Sequence, residues 1–332
     1  MTSSPMPELL VYTPAWERLR SQLEGRVKPL TIDDSGVIRD GNTVVAPGIA
    51  APTIAWANRD LYMRGPVKEF MVACLKSRNL RWFQSSAAGF EHPVFAKLMG
   101  NGVALTNSNA SAVPIAEFVF AQVLQAFHPT VERLESQRNR NWKQLEFRDI
   151  HGTNWFVHGM GHVGRAVAKR AQAFGASVIG CRRTISGDEP ADEMVSTDGY
   201  LAAVKRSDVV VMTTSLNAAN VHIVNDTFLN AMKPNSIFVN IGRGGLVDEV
   251  ALLKALDRGQ PAIAILDVVE KEPLPDDSPL WNHPSVRLTA HCAGASEGTS
   301  LRGDEIFLDN LDRFLDEAPL RMQVHNIETV GG

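Results

Sequence analysis

The sequence has little cysteine. Its 332 residues include three, Cys74, Cys181 and Cys292, which lie far apart. Disulfide scaffolds and zinc sites need cysteines in pairs at short spacings, and the sequence has no such pair. We therefore expect no metal site, and the sequence favours a reducing compartment over secretion.

Long apolar runs and an excess of one charge are also lacking. No stretch reaches the roughly 18 apolar residues that a membrane span needs. The N-terminal segment has no basic flank and is interrupted by Pro5, Pro7 and Pro14, which argues against a signal peptide. The formal net charge of -4 is too small to attract a nucleic acid. We expect a cytoplasmic protein that binds neither membranes nor nucleic acids.

The composition is that of an ordinary globular protein, with 44% hydrophobic and 21% charged residues. A chain of 332 residues exceeds what one hydrophobic core usually serves, which predicts two domains. Residues 9–106 alternate short apolar runs with helical stretches, and this alternation is typical of an α/β fold. The runs are LLVYT, TVVAP, TIAWA, LRWFQSS and GVALTN.

A second α/β unit begins near Thr153 and continues to about residue 290. Its six apolar runs are NWFVHG, SVIGC, DVVVMTT, SIFVNIG, AIAILDV and VRLTAH. This number predicts a doubly wound parallel sheet, because a barrel would need eight units. Residues 112–127 predict a long buried connecting helix, residues 131–144 a solvated segment, and residues 297–317 a further helix.

A glycine-rich turn follows the first strand of the second unit. Gly159, Gly161 and Gly164 form Gly-x-Gly-x-x-Gly between an apolar strand and a helix. The first glycine allows a tight turn, the second a close approach of a diphosphate, and the third close packing of the helix on the strand. This context predicts a bound dinucleotide. The intervening residues Met160, His162 and Val163 belong to the same predicted cofactor loop.

The residues after the next strand bear on which dinucleotide is bound. NAD-binding proteins usually place an acidic residue about 20 positions after the first glycine, where it binds the ribose hydroxyls. Here Cys181 stands at that distance, followed by Arg182, Arg183 and Thr184. Two guanidinium groups and a hydroxyl form a donor set for the 2′-phosphate of NADP. NADP is therefore favoured over NAD, although two arginines in a loop are also compatible with solvated surface charge.

Three later strand ends each carry one chemically suited residue. Arg243 lies in VNIGRGGLVDE, Glu272 in ILDVVEKEPLP and His291 in VRLTAHCAG. With the glycine turn, these segments resemble the D-2-hydroxyacid dehydrogenase family, whose pattern is Arg-Gly-x-x-Val-Asp, Asp-Val-x-x-x-Glu-Pro-Leu and His-x-x-Gly. The resemblance covers about residues 80–325 and points to the glyoxylate and hydroxypyruvate reductase branch.

The resemblance implies an architecture and an assembly. It implies two Rossmann-like domains, a flavodoxin-like substrate domain of residues 1–106 plus 298–332 and a doubly wound dinucleotide-binding domain of residues 107–297. It also implies a homodimer, with the helix at 112–127 and its neighbours at the interface.

The implied chemistry is reduction of a small 2-oxo acid, which needs a cation for the carboxylate and a proton donor for the carbonyl oxygen. Arg243 can supply the cation. His291 can supply the proton, and Glu272 is the candidate carboxylate that fixes its tautomer. Each residue alone is more often structural, and their common order behind a dinucleotide fold favours the catalytic interpretation.

The resemblance also implies the remaining contacts. Backbone N–H groups of Ala88 and Gly89 would bind the substrate carboxylate, and Trp56 would either line the pocket or belong to the core. His158, His162 and His222 are interpreted as cofactor-loop or surface residues. Ser215 departs from the proline usual in the family. Further cofactor contacts are expected at Thr214, Ser215, Ile241, Gly242, Asp267 and Gly294.

The leading hypothesis is an NADP-preferring D-2-hydroxyacid dehydrogenase that reduces glyoxylate, hydroxypyruvate or a similar 2-oxo acid. One alternative is an NAD-dependent enzyme like phosphoglycerate dehydrogenase, and another is a non-catalytic dinucleotide-sensing corepressor-like protein. A thiol nucleophile at Cys292 beside His291 is disfavoured, because adjacent side chains on an extended chain point to opposite faces.

Overall fold

The computed structural model describes residues 6–87, 89, 90 and 92–325. The chain divides into two compact units. The first unit comprises the residues up to Ala110 and those from Ser296 onward, and the second unit comprises Ser111–Ala295. The boundaries predicted from the sequence, after residues 106 and 297, lie a few residues from these positions.

The first unit contains an eight-stranded sheet. Its strands are β1 (Glu8–Tyr12), β2 (Lys28–Ile32), β3 (Ile38–Asp40), β4 (Thr43–Val45), β5 (Ile54–Ala57), β6 (Trp82–Ser85), β7 (Ala104–Thr106) and β15 (Gln323–Val324). The parallel strands stand in the order β2, β1, β5, β6, β7, which is the flavodoxin-like order. Strands β3, β4 and β15 pair antiparallel at the two edges.

Helices cover both faces of this sheet. They are α1 (Thr13–Leu23), α2 (Arg59–Arg64), α3 (Val67–Lys76), α4 (Pro93–Gly100) and α11 (Glu297–Leu315). The central strand β1 is buried on both faces, which is why Leu9, Leu10 and Val11 form a continuous apolar run instead of alternating with polar residues. Arg18 on α1 donates to Asp60 and Asp304, which joins α11 to the amino-terminal part of this unit.

The second unit is a seven-stranded parallel sheet. Its strands are β8 (Asn154–His158), β9 (Ser177–Cys181), β10 (Glu193–Val195), β11 (Val209–Met212), β12 (Ile237–Asn240), β13 (Ile263–Leu266) and β14 (Val286–Leu288). They stand in the order β10, β9, β8, β11, β12, β13, β14. The first six positions reproduce the doubly wound dinucleotide-binding order 3-2-1-4-5-6, and β14 adds one strand at the edge.

Six helices belong to the second unit: α5 (Ala112–Phe127), α6 (Thr130–Arg138), α7 (His162–Ala173), α8 (Tyr200–Val204), α9 (Asp226–Ala231) and α10 (Glu249–Asp257). Helix α5 has the predicted bounds and buries one apolar face against α7 and the sheet. Phe120 on that face stacks on Trp155 of β8 with ring centroids 4.9 Å apart. Helices α8, α9 and α10 pack on the opposite face of the sheet.

Within the described residues, the helices lack the combination of length and apolar character that crossing a membrane requires.

Candidate functional site

Most residues singled out in the sequence lie at the carboxyl ends of neighbouring strands in the second unit. Gly159 follows β8, Thr214 follows β11 and Arg243 follows β12. Asp267 follows β13, and His291 follows β14. These strands are consecutive neighbours in the sheet and all run parallel, so their carboxyl ends form one edge. We call it the carboxyl edge of the second unit.

The turn after β8 needs its glycines for different reasons. Gly159 has φ +105°, and a Cβ there would lie 2.8 Å from the backbone nitrogen of Thr214. A Cβ on Gly164 would lie 1.9 Å from the carbonyl oxygen of Gly159, so α7 could not pack against β8. Gly161 is the N-cap of α7 and has open space where a Cβ would lie. A diphosphate can therefore approach the first N–H groups of α7.

The order of the sheet reverses between β8 and β11, and this switch point is held by polar contacts. The backbone N–H of Thr213 donates to His158 O at 2.9 Å, and the Thr213 hydroxyl donates to the carbonyl oxygen of Gly159. Thr214 is half-buried and Ser215 is exposed just beyond it. Open α/β sheets bind their ligands in the crevice at such a switch point.

Three predicted cofactor residues have side chains that serve packing. Met160 and Ile241 are buried in the core beside α5 and α7, and Val163 packs against the same core. Only backbone atoms of Met160 and Ile241 are therefore suited to contact a ligand. His162 is exposed in the first turn of α7. A Cβ added to Gly294 would lie 3.3 Å from Ser111 Cβ.

The interpretation of His158 as a cofactor-loop or surface residue was wrong. Its ring is buried and packs edge-on against the rings of Phe156 and Tyr200. Burial lowers the pKa of His158 to about 4, so the ring is neutral at pH 7. Among the described residues, neither ring nitrogen has a hydrogen-bond partner. The alternation of a strand places His158 on the same face as Phe156, toward the core.

The carboxyl end of β9 presents a thiol and then two arginines. Cys181 is buried, and burial raises the pKa of its thiol to about 12, so it carries no charge at neutral pH. The side chain of Arg182 donates to Ser186 Oγ at 3.1 Å and to Glu189 Oε1 at 3.0 Å. Arg183 and Thr184 are exposed. The cationic groups predicted for a 2′-phosphate thus lie in an accessible loop.

A further arginine, which the sequence analysis missed, faces the same loop. Arg165 on α7 donates to Asp188 O at 2.8 Å, to Asp188 Oδ1 at 2.7 Å and to Ser186 Oγ at 3.4 Å. Its backbone N–H bonds to Gly161 O, one helical turn earlier. The spacing of four residues from Gly161, the second glycine of the turn, is the sequence signal that could have identified Arg165.

The turn after β12 presents Arg243. The side chain of Asn240 holds this turn, because it donates to Arg243 O at 2.9 Å and accepts from Gly242 N at 3.1 Å. A Cβ on Gly244 would lie 1.9 Å from Val269 O. Glycine at this position lets the segment after β13 pack directly on the turn. The half-buried Arg243 side chain donates to Gly242 O at 2.8 Å.

His291 and Glu272 are in contact. His291 Nδ1 lies 2.8 Å from Glu272 Oε2, and both side chains are partly exposed. The backbone of His291 has φ +51°, which turns the chain sharply after β14. A carboxylate at Nδ1 fixes the ring and its tautomer, so Nε2 is the nitrogen left for proton exchange with a substrate.

Asp267 shapes the loop that carries His291. One carboxylate oxygen accepts bonds from the Thr289 hydroxyl at 2.6 Å and from Cys292 N at 2.9 Å, and the other accepts from Ala293 N at 3.0 Å. The carbonyl oxygen of Asp267 accepts from His291 N at 2.8 Å. These bonds give the buried Asp267 a positioning role, and its expected contact with a cofactor stays a prediction.

The described residues contain no group of three or more His, Cys, Asp or Glu side chains that could hold a metal ion. Cys292 is exposed, but the neighbouring imidazole is bonded to Glu272. This pairing leaves the thiol without the oriented base that a cysteine nucleophile needs.

The substrate contacts expected from the first unit have three outcomes. Ala88 lies outside the described residues. Gly89 is half-buried in the segment after β6, and its contact with a substrate stays a prediction. Trp56 is 1% exposed and stacks on Phe307 with ring centroids 4.0 Å apart. Trp56 is therefore a core residue that holds α11 against the sheet, which was the alternative to its lining the substrate pocket.

Comparison with known proteins agrees with this geometry. The family model described as "D-isomer specific 2-hydroxyacid dehydrogenase, NAD binding domain" matches residues 120–293. That range includes the glycine turn and the strand ends that carry Arg243, Glu272 and His291.

Sequence relatives are named for reduction or oxidation of small acids. Glyoxylate reductase of Korarchaeum cryptofilum is 33% identical over 71% of this chain and 73% of its own length. Glyoxylate/hydroxypyruvate reductase B of Pectobacterium atrosepticum is 30% identical over 92% of this chain and 93% of its own. D-3-phosphoglycerate dehydrogenase of Methanocaldococcus jannaschii is 28% identical over 86% of this chain, which spans 56% of that relative.

A solved structure with bound cofactor resembles the whole chain. The NADPH-dependent glyoxylate/hydroxypyruvate reductase of Sinorhizobium meliloti, in complex with NADP and sulfate, has a TM-score of 0.73 and 25% identity. The match covers 97% of this chain and 98% of that one. With the family model and the relatives, this shows that the chain belongs to the D-isomer specific 2-hydroxyacid dehydrogenase family, NAD(P)-dependent oxidoreductases that act on CH–OH donors.

Proposed function

We propose that the protein is an NADP-preferring reductase of small 2-oxo acids such as glyoxylate or hydroxypyruvate. The observation that carries the proposal is the 2.8 Å contact of His291 with Glu272 on the carboxyl edge that also presents Arg243 and the glycine turn. A non-catalytic protein on the same fold would have no need of an oriented imidazole there.

The cofactor part of the proposal is supported by the turn after β8. Open space at Gly161 and the N-terminus of α7 suit a diphosphate, and Arg182 and Arg183 suit a 2′-phosphate. When bound, the nicotinamide cofactor supplies the hydride that reduces the 2-oxo acid. Preference for NADP is further supported by the thiol that replaces a ribose-binding carboxylate at Cys181, and by the NADP in the Sinorhizobium meliloti structure.

The chain's own residues supply the acid–base chemistry. Arg243 binds the carboxylate of the 2-oxo acid with its planar guanidinium and polarises the neighbouring carbonyl. His291 Nε2 donates a proton to the carbonyl oxygen as negative charge develops on it. Glu272 holds the ring of His291 through Nδ1 and so fixes Nε2 as the nitrogen that exchanges the proton. Hydroxy acid oxidation runs through the same groups in reverse.

A substrate panel with both cofactors tests this function. We expect NADPH-dependent reduction of glyoxylate or hydroxypyruvate, and Arg243→Ala to raise KM and lower kcat because its charge acts on both bound substrate and transition state. Arg258→Ala removes an exposed arginine at the end of α10 and is the matched control. Turnover of 3-phosphoglycerate with NAD instead would favour the phosphoglycerate dehydrogenase alternative. Absence of turnover with every acid would favour the corepressor-like alternative.

The role of Glu272 predicts a loss of turnover. Glu272→Gln keeps the side-chain shape but removes the charged partner that fixes the ring and tautomer of His291, so kcat for reduction should fall while cofactor binding changes little. Steady-state kinetics with the same 2-oxo acid and saturating cofactor measure kcat. Glu270→Gln is the control, because Glu270 pairs with His222 at 2.6 Å instead. An unchanged kcat in Glu272→Gln would mean that another group supports His291.

We also propose a homodimer. The segment after α5 bears several large apolar side chains that are exposed in the single chain: Val131, Leu134, Trp142 and Phe147. Exposed apolar side chains close together mark interaction surfaces. They continue from the helix that the family resemblance places at the interface, and light scattering measures the mass of the assembly directly.

A further inference from the structure

The loop after β9 contains an acid that occupies anion-binding donors. Glu189 Oε1 accepts from Arg182 Nη1 at 3.0 Å, from Ser186 N at 2.9 Å and from Ser186 Oγ. Its other oxygen, Oε2, accepts from Gly187 N at 2.8 Å. Arg165 Nη2 lies 3.8 Å from Oε1. Both oxygens of one carboxylate are thus enclosed by donors from its own loop and from α7.

These donors form a preorganised anion-binding site, which we call the seat. Gly187 has φ +85°, and this left-handed conformation points two successive backbone N–H groups, of Ser186 and Gly187, toward one anion. Arg182 adds a guanidinium. The Ser186 hydroxyl and these backbone N–H groups hold the pKa of Glu189 well below its usual range, so its carboxylate is ionised at any physiological pH. Backbone N–H groups, a hydroxyl and an arginine are also the donors that bind phosphate in proteins.

The adjacent acid is bound differently. The Asp188 side chain is 73% exposed and pairs with Arg165 at 2.7 Å on the surface, and of the donors around Glu189 it shares the Ser186 hydroxyl, at 2.7 Å. The Glu189 side chain is 0% exposed. The two acids differ by one position in sequence, yet only Glu189 fills the seat beside Arg182, which begins the loop where the adenosine ribose is expected.

We propose that Glu189 is a specificity-determining residue, an internal carboxylate that competes with the 2′-phosphate of NADP for Arg182 and the N–H groups of Ser186 and Gly187. This inference rests on the proposed NADP preference. NADP binds when Glu189 leaves the seat, and the phosphate then takes over the same donors. NADH has no 2′-phosphate and binds with Glu189 in place.

The competition lowers the apparent affinity for NADP. A ligand whose binding-competent state is a minor one binds more weakly in proportion to the population of that state. Minor states of this kind are commonly populated at about 0.1–10%. Glu189→Gln replaces charge-assisted bonds by neutral ones, which are roughly half as strong, and so releases the seat. The dissociation constant for NADPH should therefore fall by about tenfold or more, while that for NADH stays unchanged.

The experiment titrates the full-length protein with NADPH and with NADH by nicotinamide fluorescence. The variants are Glu189→Gln and, as the matched control, Asp188→Asn, which removes one charge from the same loop but leaves Arg182 and the N–H groups of Ser186 and Gly187 bonded to Glu189. Tighter NADPH binding in Glu189→Gln alone, with unchanged NADH binding in both variants, supports the inference. Unchanged NADH binding also reports that the variants are folded.

Two results overturn the inference without touching the proposed function. If the wild type prefers NADPH and Glu189→Gln binds NADPH equally or more weakly, Glu189 orders Arg182 instead of competing with the phosphate. If Asp188→Asn strengthens NADPH binding as much as Glu189→Gln, the effect is one of loop charge. A wild type that binds NADH and NADPH equally well would overturn the proposed cofactor preference and this inference together.

Discussion

Replacing His291 by alanine is expected to lower kcat for 2-oxo acid reduction by at least about a hundredfold, with little change in cofactor affinity. The proton that His291 donates is needed mainly in the transition state, and general acid catalysis contributes about 10²–10⁴-fold in rate. Steady-state kinetics with NADPH and a 2-oxo acid measure kcat, and fluorescence titration measures cofactor binding.

The chain contains a closely matched control for this variant. His222 also has φ +51°, pairs with a glutamate at 2.6 Å and has a side chain 47% exposed, against 55% for His291. It lies in the loop after β11, where its backbone N–H donates to Gly245 O, and the family resemblance gives it no part in proton transfer. His222→Ala should therefore retain nearly normal turnover. Near-normal turnover in His291→Ala, or an equal loss in both variants, would remove His291 from the proton-donating role.

Removing both arginines after β9 is expected to abolish the preference for NADPH. A guanidinium bound to a phosphate is a charge-assisted contact of roughly 1.5–3 kcal/mol, and about 1.4 kcal/mol is a tenfold change in binding. If the two side chains are only partly additive, Arg182→Ala with Arg183→Ala should weaken NADPH binding on the order of 10²–10³-fold. NADH binding should change little, because NADH has no 2′-phosphate.

Titration of the wild type and the double variant with both cofactors measures this selectivity. Arg206→Ala, which removes an exposed arginine paired with Glu193, controls for the loss of surface charge. If the two arginines are merely solvated, their removal should cost little affinity for either cofactor, because exposed ion pairs generally contribute about 0–1 kcal/mol. Equal losses for NADPH and NADH would contradict the assignment of Arg182 and Arg183 to the 2′-phosphate.

The sequence by itself determined the elements whose signals are local. The six apolar runs of the second unit became β8, β9, β11, β12, β13 and β14, and residues 112–127 became α5. Strands buried on both faces need continuous apolar runs, and a helix packed on one side needs apolar residues at helical spacing. The glycine turn was equally readable, because Gly159 has a positive φ and Gly164 packs against Gly159 O within one strand–turn–helix unit. The short strands β2, β3, β10 and β15 gave no comparable signal, since they lie toward or at sheet edges and carry few buried apolar residues.

Only the tertiary structure decided which of the candidate functional residues are in contact with one another. Nothing local indicates that Glu272 reaches His291, that Asp267 binds the backbone of the loop after β14, or that Trp56 stacks on Phe307. Each contact joins segments that are separate in sequence and meet because parallel strands align their ends, or because α11 returns to the first sheet. The enclosure of the Glu189 side chain likewise depends on tertiary structure, because Arg182 after β9 and Arg165 on α7 approach its carboxylate from outside the 186–189 turn. Residue type and order thus determined the family and its chemistry, while burial and partners were decided by the packing of the chain.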